Sequence, residues 1–282
     1  MEDKATSDAT SALTIDPSMR AAATILTKQD CVVSGLGCIP QFLTIFSRLD
    51  TRANGRFEVV SHPEIFDGVK VKKGQALAVI RHNARVILAC ERVILNLMQH
   101  MGGIATLTSQ YVKAIAGTQA KILDTRKTVP GLRMIDKYAV LCGGGHNHRL
   151  DLADGVLIKN NHISLGGGLP VVLARALERR KPGQLVQVEV RDLAELEQAL
   201  KGGAESLLLD NMTPAQTRKA VKIIRARTPK SAKKIPVEAS GGINLQTVRK
   251  YALAGVDYIS VGALTHSALA VDLSMKITAE LY

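Results

Sequence analysis

The residues able to do chemistry concentrate between Asp124 and Ile163. The first run there, D-T-R-K-T-V-P-G-L-R, presents Arg126 and Lys127. The second, K-Y-A-V-L-C-G-G-G-H-N-H-R-L, presents His146, His148 and Arg149 behind three glycines. The third, D-G-V-L-I-K-N-N-H-I, presents Lys159 and His162. K-I-L ahead of the first run and G-V-L-I within the third are short apolar stretches with little alternation, as in strands buried on both faces of a parallel sheet. Two strand ends and one Gly-rich loop then gather cationic groups at one sheet edge, where parallel α/β folds bind ligands. The chemistry implied is capture of a small, multiply negative molecule.

Acids and glycines follow at later strand ends. Glu189 sits inside the apolar run L-V-Q-V-E-V, and Asp210 closes S-L-L-L-D. A carboxylate is buried at high cost unless it is paired, so each needs a partner: a barrel lysine or a ligand. E-A-S-G-G-I-N carries Ser240, Gly241 and Gly242, and I-S-V-G-A carries Gly262. A Gly-rich turn leading into a helix, with a glycine ending the next strand, fits a phosphate site built from backbone N–H groups and the helix dipole. H-N-H (146–148) lacks the spacing of a zinc site and suits hydrogen bonding to an acid instead. Together these groups suit joining a phosphorylated sugar to a carboxylated ligand. Arginines recognise carboxylates by paired hydrogen bonds. The two acids could hold sugar hydroxyls, hold a Mg²⁺ bridging to pyrophosphate, or stabilise a cationic sugar.

Elements must place these residues. Strands are expected at 121–124, 155–158, 185–190, 206–210, 235–239 and 258–261, with helices at 132–141, 170–180, 193–201, 214–227 and 245–254. Asp192, Thr213 and Asn244 stand as helix caps. Repeated βα units mean a parallel sheet, and a run this long suggests a barrel. Six clear strands fall short of eight: either one or two are short and irregular, for example around 148–152, or the barrel is incomplete. Upstream, strands at 22–27, 57–61 and 75–80 and a helix near 39–49 describe a small α+β domain. A helix over 85–101 ends at Gly102 and Gly103, and a second begins at Ile104. The stretch 271–282 reads as an amphipathic helix.

The 282 residues allow one large domain and a smaller companion. Lys and Arg number 37 against 25 Asp and Glu, a net +12 that favours anionic partners. Aromatics at 3%, with no Trp, argue against base-stacking surfaces, so nucleic acid is not expected. Four cysteines without paired spacing read as small buried hydrophobes in a reducing compartment. The polar N-terminus and the lack of a long apolar run predict a cytoplasmic protein with no membrane span.

The ordered motifs T-R-K-T-x-P-G-L-R, K-Y-A-V-x-C-G-G-G-x-x-H-R, V-L-I-K-x-N-H-I, V-E-V, L-L-D-N and E-A-S-G-G-I strongly resemble those of the quinolinate phosphoribosyltransferases, over nearly the whole chain. The resemblance implies an incomplete, seven-stranded α/β barrel (104–264) with a small N-terminal α/β sandwich domain (1–103), joined by the C-terminal helix (265–282). It implies transfer of phosphoribosyl from phosphoribosyl pyrophosphate to quinolinate with Mg²⁺, giving nicotinate mononucleotide, pyrophosphate and carbon dioxide, in de novo NAD biosynthesis. Arg126, His148 and Arg149 would bind quinolinate, with Lys127 and Lys159 beside them and acting in catalysis. Arg92 would come from the neighbouring subunit of a homodimer. Glu189 and Asp210 would face the ribose and its metal. Ser240, Gly241, Gly242 and Gly262 would hold the 5′-phosphate. The chain departs from the family pattern at His82 (usually Gly), Asn160 (usually an acid) and Gly102 (commonly Ser), none touching a proposed ligand, and the usual leading helix looks short or absent.

Three other readings compete. A paralogue of the same fold, linked to molybdate transport, usually lacks the full K-x-N-H-I signature found at Lys159–Ile163. A barrel lyase would use Lys159 as a Schiff base. A nucleic-acid module would rest on charge alone.

Overall fold

The computed structural model describes residues 3–49, 56–228 and 234–280. In chain order the elements are α1 (Ala9–Thr14), β1 (Arg20–Thr27), β2 (Cys31–Val32), α2 (Cys38–Leu49), β3 (Glu58–Val60), β4 (Lys70–Val71), β5 (Ala76–Asn83) and α3 (Ala84–Ala114). Then come β6 (Lys121–Leu123), α4 (Arg133–Cys142), β7 (Val156–Ile158), α5 (Asn160–Gly166), α6 (Leu169–Arg179), β8 (Val186–Val190), α7 (Leu193–Lys201), β9 (Ser206–Asp210) and α8 (Pro214–Arg227). The last are β10 (Val237–Ser240), α9 (Val248–Ala252), β11 (Tyr258–Ser260), α10 (Ala263–His266) and β12 (Leu273–Ala279). They form two compact units. One comprises 1–107, 134–144 and 268–282; the other comprises 108–133 and 145–267.

The first unit holds an antiparallel sheet in the order β12-β1-β5-β3 and the small pair β2-β4. β1 alternates strictly between half-buried and buried positions, so Ala21, Ala23 and Ile25 enter the core. Ile39 and Leu43 of α2 and Ile87, Ile94, Leu95 and Met98 of α3 pack into the same core. The leading helix α1 has six residues and is capped by Asp8, which accepts from Ser11 N.

Two expectations fail in this unit. Gly102 and Gly103 do not end a helix, because α3 runs through them without a break. Their missing side chains admit another segment. A Cβ on Gly102 would lie 2.7 Å from Val271 Cγ2, and one on Gly103 would lie 2.2 Å from the Leu269 carbonyl oxygen. Close backbone approach outweighs the roughly 1 kcal/mol helix penalty of glycine. The expected C-terminal helix is instead strand β12, paired antiparallel with β1 from Ala21↔Ala279 to Thr27↔Leu273. Leu273, Met275 and Ile277 recur with period two, the strand period, and β1 would otherwise present an unpaired edge. The last two residues of that expectation lie outside the described residues.

The second unit is the barrel. Its six parallel strands are ordered β6-β11-β10-β9-β8-β7. Val186, Val188, Leu207, Val237 and Ile259 have no measurable exposure, as strands covered on both faces require. A seventh position, beside β6, is reduced to a parallel bridge between Leu123 and His146. The irregular strand is therefore at His146 rather than 148–152. Past His146, side chains take the N–H groups a ladder would use. Asp124 accepts from His148 N, His148 Nδ1 from Arg149 N, and Asp154 from Leu150 N, at 2.7–2.8 Å. No ladder joins this segment to β7 among the described residues, so this is an incomplete seven-stranded α/β barrel. α7 and α8 start at Asp192 and Thr213 as expected, each cap accepting from the N–H three residues on.

Gly103→Ala should destabilise the protein by about 1–3 kcal/mol through overpacking against the 269 carbonyl, read as a lower urea midpoint. His82 gives a pH signature. It is wholly buried on β5, and neither ring nitrogen has a hydrogen-bond partner. Burial, and then the Arg20 charge, lower its pKa. The unfolded chain therefore binds the extra proton first, and stability falls as pH drops below about 6.5. Between pH 7.5 and 5.5 wild-type protein should lose more stability than His82→Leu.

Candidate active site

Each strand rises into the site with alternate residues on its inner face. Across five neighbouring strands this delivers pairs at i and i+2: Leu157 and Lys159, Gln187 and Glu189, Leu208 and Asp210, Glu238 and Ser240, Ser260 and Gly262. All of these except Gln187 line one cavity of about 600 Å³. Thr125, Arg126 and Lys127, past the end of β6, join them, as do His148 and Arg149. Eleven of the twelve residues expected from sequence thus share one cavity in the barrel unit. Arg92 is not among its lining residues; it is exposed on α3 and 3.2 Å from Glu91. His146 is exposed and does not line the cavity either.

The cationic wall is held from behind. Arg133 donates from Nε to Thr128 Oγ1 (3.2 Å) and from Nη2 to the Arg126 carbonyl (3.4 Å). Thr265 Oγ1 donates to the Lys127 carbonyl at 2.7 Å. Arg149 reaches the Gly155 carbonyl at 3.3 Å. Burial and the neighbouring Arg126 lower the Arg149 pKa. Two guanidinium groups are thus held where they disfavour each other, and an anion between them would relieve the strain.

On the other wall, burial, followed by Asp210, raises the Glu189 pKa, while Lys159 and the Asn160 N–H pull it down. The Asn160 backbone thus bonds one of the two acids, independently of the side chain in which this chain departs from the family pattern. The phosphate turn sits beside them. Gly241 has φ +98° and Gly242 φ +61°, a left-handed pair that side chains resist. A Cβ on Gly241 would fall 2.2 Å from Asn211 Oδ1. Asn211, itself left-handed at φ 54°, donates from its backbone to Ser240 O at 2.8 Å and from Nδ2 to Asp210 at 3.0 Å.

The expected helix behind this turn is displaced. α9 begins at Val248, because the Asn244 side chain accepts from Gln246 N and Thr247 N and closes a turn first. The turn glycines therefore do not abut a helix N-terminus.

The family model for the N-terminal domain of quinolinate phosphoribosyl transferase matches residues 8–102, and that for its C-terminal domain matches 104–276. The chain belongs to the quinolinate phosphoribosyltransferase family. It is 40% identical over 292 residues to a mitochondrial quinolinate phosphoribosyltransferase [decarboxylating] of Nicotiana tabacum, covering 97% of this chain and 78% of that one. It is 39% identical over 280 residues to a probable nicotinate-nucleotide pyrophosphorylase [carboxylating] of Bacillus subtilis, covering 99% and 90%. The crystal structure of NadC from Streptococcus pyogenes superposes with a TM-score of 0.86 at 34% identity, covering 98% and 94%.

Sequence reading of this family member passed over Glu238, Ser260, Asn211, Thr125 and His266, all of which line the cavity. For Glu238 and Ser260 a signal existed. Counting back two residues from Ser240 and Gly262 along each strand finds both. Asn211 is visible only through the left-handed turn it makes against Gly241.

Gly241→Ala should displace Asn211 and weaken binding of phosphate or pyrophosphate by about tenfold or more, measured by calorimetry on folded protein. Gly37→Ala, where nothing lies within 4 Å of the added carbon, serves as the control.

Proposed function

We propose that the protein is the decarboxylating quinolinate phosphoribosyltransferase, a pentosyltransferase of NAD synthesis. The observation that carries the reading is the shared cavity, with cations on one wall and paired acids with a glycine turn on the other. Quinolinate brings two carboxylates, and phosphoribosyl pyrophosphate brings three phosphorus centres. Neither anion could approach the other without the cations to offset their repulsion.

In the reaction the pyridine nitrogen bonds to the anomeric carbon as the C–O bond to pyrophosphate breaks. The ring nitrogen becomes cationic. The adjacent carboxylate then leaves as carbon dioxide, its electron pair passing to the ring carbon, which takes a proton. Arg126, His148 and Arg149 orient the acid, with Lys127 and Lys159 beside it, and hold its second carboxylate near the cationic ring. Glu189 and Asp210 face the ribose and stabilise positive charge developing at the anomeric carbon. Ser240, Gly241, Gly242 and Gly262 seat the 5′-phosphate.

Glu189 and Asp210 would hold a Mg²⁺ ion, whose charge would relieve the mutual repulsion of the two carboxylates. When bound, it neutralises charge on the departing pyrophosphate. We further place Arg92 of a second copy at the cavity, in a homodimer. We place the enzyme in the cytoplasm, its four cysteines being free. No helix among the described residues is long and apolar enough to cross a membrane.

Turnover with quinolinate, phosphoribosyl pyrophosphate and Mg²⁺ should yield nicotinate mononucleotide, while nicotinate should fail as the acid. No product from folded protein would move the reading to the paralogue with another acceptor, and equal use of nicotinate would overturn the role of the arginine wall. Glu189→Ala and Asp210→Ala should fold normally and lose turnover by about a hundredfold or more. Near-normal rates in both would remove them from the mechanism.

A further inference from the structure

Below the cationic wall lies a buried polar chain that the reaction does not account for. Glu238, on β10, is 3% exposed. Its carboxylate accepts from Gln187 Nε2 at 2.8 Å and from the Ser260 hydroxyl, and His148 Nε2 lies 3.3 Å from it. These three partners come from β8, from β11 and from the loop after the seventh barrel position.

The proton of His148 can be placed from its neighbours. Nδ1 lies 2.7 Å from the Arg149 backbone N–H, so it is an acceptor and carries no proton. The single ring proton is therefore on Nε2, the nitrogen that lies 3.3 Å from the Glu238 carboxylate. The His148 N–H is itself fixed by Asp124 Oδ1 at 2.8 Å. The Nδ1 end of the imidazole and the backbone N–H groups of His148 and Arg149 are set before any acid arrives.

We propose that Glu238 is a positioning residue for recognition of the quinolinate carboxylates, acting through His148 and the backbone of Arg149. It selects the His148 tautomer, which in turn holds the Arg149 N–H and so the root of the guanidinium that reads the acid. A carboxylate suits this place, because two donors bond it and the His148 Nε2–H lies beside it, and only an acceptor-only group meets all three. Gln at this position would turn an N–H₂ toward one of those donors. The proposal rests on the reading of quinolinate as the acid.

Two measurements test it. The first is the ¹⁵N spectrum of the His148 ring in free protein, assigned by comparison with His148→Asn. Wild type at pH 7.5 should show a neutral ring protonated on Nε2. Glu238→Gln should shift or broaden that signature. The second is kinetics: Glu238→Gln should raise the quinolinate KM about tenfold while leaving the phosphoribosyl pyrophosphate KM within about twofold. Ser260→Ala, which removes one donor and keeps the carboxylate, should move the quinolinate KM in the same direction by less, and it serves if Glu238→Gln does not fold. A ring protonated on Nδ1, an unchanged quinolinate KM, or equal rises in both KM values would overturn the proposal. If wild-type protein does not use quinolinate, the reaction assignment falls instead. The ring spectrum, recorded without substrate, still decides the link from Glu238 to His148.

Discussion

Like charges crowded at one end of a parallel sheet are the constraint on which this structure turns. Arg126 and Arg149 share one wall and disfavour each other; Glu189 and Asp210 do the same on the other. Unlinked side chains would swing away into water. Here each charge is fixed to a strand end or to a braced loop, and the strands beneath are buried on both faces. The packing of Val186, Val188, Leu207, Val237 and Ile259 supplies the force that keeps the charges together. Substrates of opposite charge then bind to a site whose electrostatic cost was met during folding.

The gap in the barrel serves the same end. A full strand at the seventh position would commit its N–H groups to a ladder. The chain instead pairs only at His146, then hands the following N–H groups to Asp124, His148 and Asp154. Side-chain bonds can hold an irregular backbone, which a ladder cannot, and that irregularity brings His148 and Arg149 into the cavity.

Much of this was legible beforehand. β9, α7 and α8 match expectation at both ends, because apolar runs of the right length meet strong caps at Asp192 and Thr213. Most of the site was legible because strand ends in a barrel can be read off in order. What stayed hidden depends on partners remote in sequence. Gly102 and Gly103 look like a helix stop until residues 269–271 are seen against them. β12 becomes a strand because β1 offers it an edge. Asn244 looks like a helix cap, and is instead the pivot of a turn that delays the helix.

The pairing of β12 with β1 joins residues some 250 positions apart, as Ala21↔Ala279 shows. Closing so wide a loop is slow relative to the local pairings within the barrel. During synthesis β1 emerges early and waits, its outer edge open, until Leu273–Ala279 has left the ribosome. The barrel unit, complete by 267, lies wholly upstream of that moment. Of the two units, the one begun earlier is therefore the later to be finished, and its nascent form carries a bare strand edge of the kind that chaperones shield.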